Sequence, residues 1–159
     1  MSVVVAASES TEPVSTATQP LSTEPLSTEP AGSRGIDAIL DEARSRLRRV
    51  SAVEAAEERA NGAVLVDIRP LAQRRAHGQV PGALVVERNV LEWRFDPRSD
   101  ARLACAGRYD LRVIVLCQQG YTSSLAAAAL QDLGLAAATD LDGGFEAWQA
   151  AGLPTVPGG

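Results

Sequence analysis

A parallel α/β sheet covered by helices on both faces is the fold class this sequence predicts, and three observations predict it. Apolar runs of β-branched and aliphatic residues, Ala63-Val64-Leu65-Val66 and Val113-Ile114-Val115-Leu116 above all, suit strands buried on both faces. Such runs alternate along the chain with helical patterns. The connections between them are short, as expected where helices pack back onto a doubly covered sheet. In sheets of this kind ligands bind at the carboxyl ends of the strands.

The first 34 residues stand apart. Ser, Thr, Pro, Glu and Ala dominate them, and Leu21-Ser22-Thr23-Glu24-Pro25 repeats as Leu26-Ser27-Thr28-Glu29-Pro30. Such a segment buries too little to offset the entropy of ordering, so 1–34 reads as a disordered tail and 35–156 as one folded domain, with 157–159 a short C-terminal tail. Val3 to Ala7 is the only apolar run in the tail, lacks preceding basic residues and is too short for a signal peptide or membrane anchor. The formal charge is −5 over 159 residues; four Glu and no base lie in 1–33, leaving 16 acids and 15 arginines, or −1, for the rest. A nearly neutral domain predicts no binding to nucleic acid or to anionic membranes. Two cysteines without an export signal fit a reducing, cytoplasmic setting.

In chain order, Ile36, Ile39, Leu40, Ala43 and Leu47 recur at helical spacing, with acids early and arginines late, predicting an amphipathic helix over 35–48. The cluster from Arg44 to Arg49 reads as its solvated face. Arg49-Val50 predicts a short first strand. Ser51-Ala52-Val53-Glu54 has capping-box form ahead of a helix to about Ala60, which Asn61-Gly62 ends. The Ala63–Val66 strand leads into Asp67-Ile68-Arg69 and then Pro70, suited to a first helical turn. Val80 to Val86 predicts a further strand. After Val113–Leu116, Ser124 opens a helix of Leu125, Ala126 to Ala129, Leu130 and Leu133, closed by Gly134. Ala137 to Leu141 precedes Gly143-Gly144 and a last helix with Phe145 and Trp148.

Cys117 thus falls between the end of a central strand and the start of a helix. First-turn amides lack intrahelical partners and, with the helix dipole, favour negative charge, so a thiol there is expected to ionise near neutrality. A tight loop entering the helix adds its own N–H groups as an anion nest. Gly120 permits the backbone turn, and Thr122, Ser123 and Ser124 supply hydroxyls and a potential N-cap. An inert small core residue would need no polar, glycine-containing loop behind it.

The stretch Cys117-Gln118-Gln119-Gly120-Tyr121-Thr122-Ser123 resembles the active-site loop of the rhodanese (thiosulfate sulfurtransferase) family. Asp67-Ile68-Arg69, Gly78-Gln79-Val80-Pro81-Gly82-Ala83 and Gly143-Gly144-Phe145-x-x-Trp148-x-x-x-Gly152-Leu153-Pro154 are similar to three further family motifs, in the family's order. The resemblance implies a single rhodanese-like domain with a five-stranded parallel sheet flanked by helices. It implies a sulfurtransferase in which a Cys117 persulfide carries sulfane sulfur from thiosulfate or a low-molecular-weight persulfide such as glutathione persulfide to cyanide or a thiol. Cys117 is then the nucleophile, the cradle comprises Gln118, Gln119, Gly120, Tyr121, Thr122 and Ser123, and neither metal nor organic cofactor is required. A protein sulfur donor or acceptor remains open, as does the oligomeric state.

Gln79 stands where the family usually has His, and the single histidine, His77, reads as surface structure. Gln118 and Gln119 are neutral where thiosulfate-specific members often carry a base, which keeps a second reading alive: a weakly catalytic sulfur-carrier or docking module. Cys-x5-Arg phosphatases share the fold, but the residue six past Cys117 is Ser123. Arg88, after the strand ending at Val86, is the favoured substrate arginine, while Arg69 is expected to pair with an acid such as Glu87. Trp93 and Cys105 read as core residues, the latter without metal or redox spacing.

Overall fold

A computed structural model describes Thr23 and residues 26–159. Most of the expected tail, including its Val3–Ala7 run, lies outside the described residues. The folded unit spans Arg34–Gly159. Its elements are α1 (Ile36–Ser45), α2 (Ala52–Ala60), β1 (Val64–Asp67), α3 (Leu71–His77), β2 (Leu84–Val85), α4 (Leu91–Phe95), β3 (Val113–Leu116), α5 (Thr122–Asp132), β4 (Thr139–Asp140) and α6 (Gly144–Ala150), with single 3₁₀ turns at Arg88–Val90 and Ala104–Ala106.

All pairings in the sheet are parallel, in the order β2-β1-β3-β4. Four strands form it rather than five. The expected first strand is reduced to one parallel bridge between Val50 and Leu141 beside β4, because α2 begins only two residues later. There Ser51 and Glu54 form a reciprocal capping box, each side chain bonding the other's backbone N–H. β2 is also shorter than the Val80–Val86 run, since Val80 and Val86 turn into the core while Leu84 and Val85 occupy an exposed sheet edge.

Alternation along β3 divides the core. Val113, Val115 and Cys117 join Val66, Leu91, Phe95 and Leu130 beneath α4 and α5, whereas Ile114 and Leu116 join Leu65, Leu141, Phe145 and Trp148 beneath α2 and α6. Each fully buried aliphatic side chain contributes about 1.5–3 kcal/mol. α5 lies between the sheet and α1, and its alanines let it be enclosed on both sides. Gly134, at φ +109°, follows its C-cap as expected.

Two expected core residues are at the surface. Trp93 is 61% exposed, because α4 is a single short helix that turns Leu91 and Phe95 inward and leaves the intervening residue outside. Cys105, in the Ala104–Ala106 turn, is also exposed, the buried position there being taken by Ala106. The C-terminal segment is tied down by Val156, which pairs with Gln79 in both directions.

Candidate active site

Cys117 directly follows β3 and is 5% exposed. Its Sγ accepts the Gly120 N–H at 3.2 Å. That turn requires glycine at 120: φ is +85°, and a Cβ would stand 2.7 Å from the Gly143 nitrogen.

Four of the loop's carbonyls, those of Cys117, Gln118, Gly120 and Tyr121, are hydrogen-bonded within the protein. Phe145 and Glu146, in the first turn of α6, donate their amides to the Cys117 and Gln118 oxygens at 2.8 and 3.1 Å. Gly144 makes this approach possible, since a Cβ there would meet the Gln118 carbonyl carbon and oxygen at 2.8 Å. The Tyr121 oxygen accepts from Ser124, and the Gly120 oxygen accepts two guanidinium N–H groups. By contrast, the amides of Gln118, Gln119, Tyr121, Thr122 and Ser123 have no protein acceptor among the described residues. With most acceptors spent and five donors free, the loop is a surface for negative charge.

Two Asp–Arg pairs flank it, each with a buried Asp at the end of a strand adjoining β3. On the β1 side Asp67 holds the Arg69 guanidinium through Nε at 3.0 Å and NH2 at 2.8 Å, and Arg69 is 1% exposed. Its pairing is thus with Asp67, not Glu87, which instead lies 3.5 Å from Arg74. Arg69 also donates to Gln118 Oε1 at 2.8 Å and to the Gly78 carbonyl, and stacks on the Phe145 ring with 4.1 Å between guanidinium carbon and centroid.

On the β4 side Asp140, 0% exposed, accepts Arg49 at 2.9 and 3.1 Å and the hydroxyls of Ser123 and Ser124 at 2.8 Å each. Arg49 reaches on to the Gly120 oxygen at 2.9 Å. Burial works against its charge, but the hydrogen bonds and charge of Asp140, with the charges of Asp142 and Cys117, override this and hold its pKa above the ordinary arginine value. Arg44 joins from α1, donating to Gly120 O at 2.8 Å and Ser124 Oγ at 3.1 Å while lying 5.6 Å from the Tyr121 ring centroid.

The structure therefore gathers Cys117, Gln118, Gly120 and Ser123 into one bonded unit, though the Ser123 hydroxyl is committed to Asp140. Gln119, Tyr121 and Thr122 are exposed on the loop, with Gln119 reaching Glu146 at 3.3 Å. Arg88 is placed differently. Its backbone N–H meets the Ile68 carbonyl at the β1 end, but its guanidinium pairs with Glu92 at 2.6 Å, and among the described residues no hydrogen bond or ion pair links it to the loop. Arg44, Arg49 and Asp140 are the residues sequence reasoning missed. The Arg44–Arg49 cluster read as solvated, yet both ends turn inward; only the partnership with an acid 91 positions away distinguishes Arg49. Among the described residues no cluster of His, Cys, Asp and Glu could hold a metal ion, and no helix is long and apolar enough to cross a membrane.

A parallel sheet with a cysteine-bearing loop of free amides at its carboxyl edge defines a class that comparison with known proteins makes specific. The family model of the Rhodanese-like domain matches residues 51–151, and the chain belongs to that family. It is 38% identical over 106 residues to thiosulfate sulfurtransferase GlpE of Ectopseudomonas mendocina, covering 67% of this chain and 88% of that one. GlpE of Pseudomonas entomophila is 35% identical over 114 residues, with 72% and 92% covered. A Rhodopseudomonas palustris protein of unknown function, described as a possible tyrosine phosphatase, superposes with a TM-score of 0.73 at 33% identity, covering 82% of this chain and all of its own.

Proposed function

We propose that this protein is a sulfurtransferase that carries sulfane sulfur on Cys117. The observation that supports this most is the inverted polarity of the Cys117 loop: the Cys117 and Gln118 carbonyls are bonded from α6 and the Gly120 carbonyl by two arginines, while among the described residues five amides lack partners and a sixth donates to the sulfur. The thiosulfate sulfurtransferase names of its relatives point the same way.

In the proposed reaction the Cys117 thiolate attacks the outer sulfur of thiosulfate, the S–S bond of the donor breaks, and sulfite leaves with the bonding pair. A low-molecular-weight persulfide such as glutathione persulfide reacts likewise, with its thiolate as leaving group. The terminal sulfur of the Cys117 persulfide then passes to cyanide, giving thiocyanate, or to a thiol, and the Cys117 thiolate returns. The loop amides from Gln118 to Ser123 stabilise the sulfur's negative charge, as an oxyanion hole stabilises an oxygen. Because Gln118, Gln119, Tyr121 and Thr122 are neutral, the donor's anionic end is held mainly by backbone N–H groups. Arg88 contributes a more distant charge from the rim, screened by Glu92.

A phosphatase reading, which the Rhodopseudomonas palustris description carries, asks for Arg six residues past the cysteine. That position holds Ser123, bonded to Asp140. The sulfur-transfer reading is tested by thiocyanate formation from thiosulfate and cyanide. Cys117→Ser is expected to abolish it while leaving the thermal midpoint nearly unchanged; persistence of turnover in that variant would sink the mechanism.

A further inference from the structure

We propose that Arg44 and Arg49 are positioning residues for the Cys117 loop: bonding the Gly120 carbonyl from the α1 side, they hold the Gly120 amide on the cysteine sulfur. This rests on the sulfurtransferase reading and extends it to a part of the chain that precedes the family match, which begins at residue 51.

Gly120 links the sulfur to the arginines. One residue supplies both the N–H that meets Sγ at 3.2 Å and the oxygen that accepts two guanidinium groups at 2.8 and 2.9 Å. Glycine at φ +85° has wide backbone freedom, so nothing intrinsic keeps its amide on the sulfur. Two charge-assisted hydrogen bonds on its carbonyl remove that freedom, and such bonds are roughly twice as strong as neutral ones. The Gly120 oxygen belongs to the peptide whose N–H is that of Tyr121. In a trans peptide the two point in opposite directions, so drawing the oxygen toward α1 also turns the Tyr121 amide away from the arginines.

The partners of the two arginines separate their parts. Arg49 is locked by the buried Asp140, whose remaining capacity goes to Ser123 and Ser124, so the base of α5 and the loop move as one piece. Arg44 has no carboxylate within ion-pair distance among the described residues, and its polar contacts all go to Gly120, Ser124 and the Tyr121 face. A cation without an acid, spent on a loop carbonyl, has the loop as its evident purpose. The planar fork of arginine matters here, since Arg49 grips Asp140 bidentately through Nε and NH2 while NH2 also reaches Gly120, a two-point hold that the single nitrogen of an ammonium does not reproduce. α1 is therefore part of the active site rather than an appendage on its surface.

The test uses the full chain carrying Cys105→Ser, which removes the exposed thiol, with R44Q, R44K and R49K built on it. Two rates are followed: single-turnover sulfur loading from thiosulfate, read by intact mass, and alkylation of Cys117 by iodoacetamide. Loading at saturating thiosulfate is expected to fall by about tenfold in R49K and by about fivefold in R44Q, as for a reacting group that is present but loosely held. Half-saturation should change little, because neither side chain touches the donor. Alkylation should slow in parallel, and R44K should recover part of both rates. Folded R44Q and R49K proteins with parental loading and alkylation rates would overturn the proposal. R44Q, which strands no buried carboxylate, decides the matter should R49K unfold. A parental protein that takes no sulfur would refute the sulfurtransferase reading instead, while alkylation still reports on positioning.

Discussion

The two sides of the Cys117 loop use the same device with different visibility. On each, a buried aspartate at the end of a strand beside β3 holds an arginine that reaches into the loop. Asp67 and Arg69 are two residues apart, enclosed in the core, and address the Gln118 side chain. Asp140 and Arg49 are brought together from opposite ends of the domain, and address the Gly120 backbone. The first pair is built into one strand-to-helix turn and stiffens the scaffold. The second depends on α1 and the chain after it being in place, and in the proposed role acts on the sulfur through the Gly120 amide.

The sharpest way to break this contrast is Arg69→Met. It leaves the Asp67 carboxylate buried with little beyond the Arg69 backbone N–H, at an expected cost of about 3–5 kcal/mol in a urea-unfolding measurement. The corresponding loss at Arg49 should be smaller, since Ser123 and Ser124 still satisfy Asp140. Equal costs would mean that the two pairs are not mechanically distinct. Gly144→Ala probes the floor beneath both: with φ at +61° and the Gln118 carbonyl in the way, it should cost about 1–3 kcal/mol and slow Cys117 chemistry by displacing the loop carbonyls. A variant as stable and as active as the parent would remove α6 from the account.

The smallest effect is expected far from the loop. Glu58 is held below the usual carboxylate range by hydrogen bonding to Arg112, which more than offsets its partial burial. A depressed folded-state pKa gives stability that is present above the unfolded value of about 4.3 and lost as pH falls through the folded one. Half-exposed pairs of this kind are weak, so Glu58→Gln should cost only about 0.5 kcal/mol at pH 7, a difference that vanishes under acid. A difference independent of pH would assign the effect to packing rather than charge.

Where sequence and structure agree, the governing interactions are local. The Ser51–Glu54 capping box, the β3 run, the Gly134 stop and the Cys117 turn each depend on a few neighbouring residues. The misses arose where a distant partner decides the outcome. Arg44 and Arg49 carry no signal of burial until α1 packs on α5 and β4 presents Asp140. Val50 retained one bridge of an expected strand because the Ser51 cap starts a helix at once. Trp93 and Cys105 lie at the surface and not in the core because each sits in a single short turn whose inward positions go to its neighbours, Leu91 and Phe95 in one case and Ala106 in the other. Arg88 follows the end of β2 as its sequence position implies, and its Glu92 partner lies one helical turn further on.

The most direct test of the central claim is the intact mass of the protein before and after thiosulfate, then after cyanide, with the adduct mapped to a cysteine because Cys105 is exposed as well. A gain of one sulfur, ~32 Da, on Cys117 alone, lost on adding cyanide, is the outcome expected of a thiolate that forms and releases a persulfide. A folded, reduced protein that takes up no sulfur from thiosulfate or glutathione persulfide, or takes it only on Cys105, would contradict it.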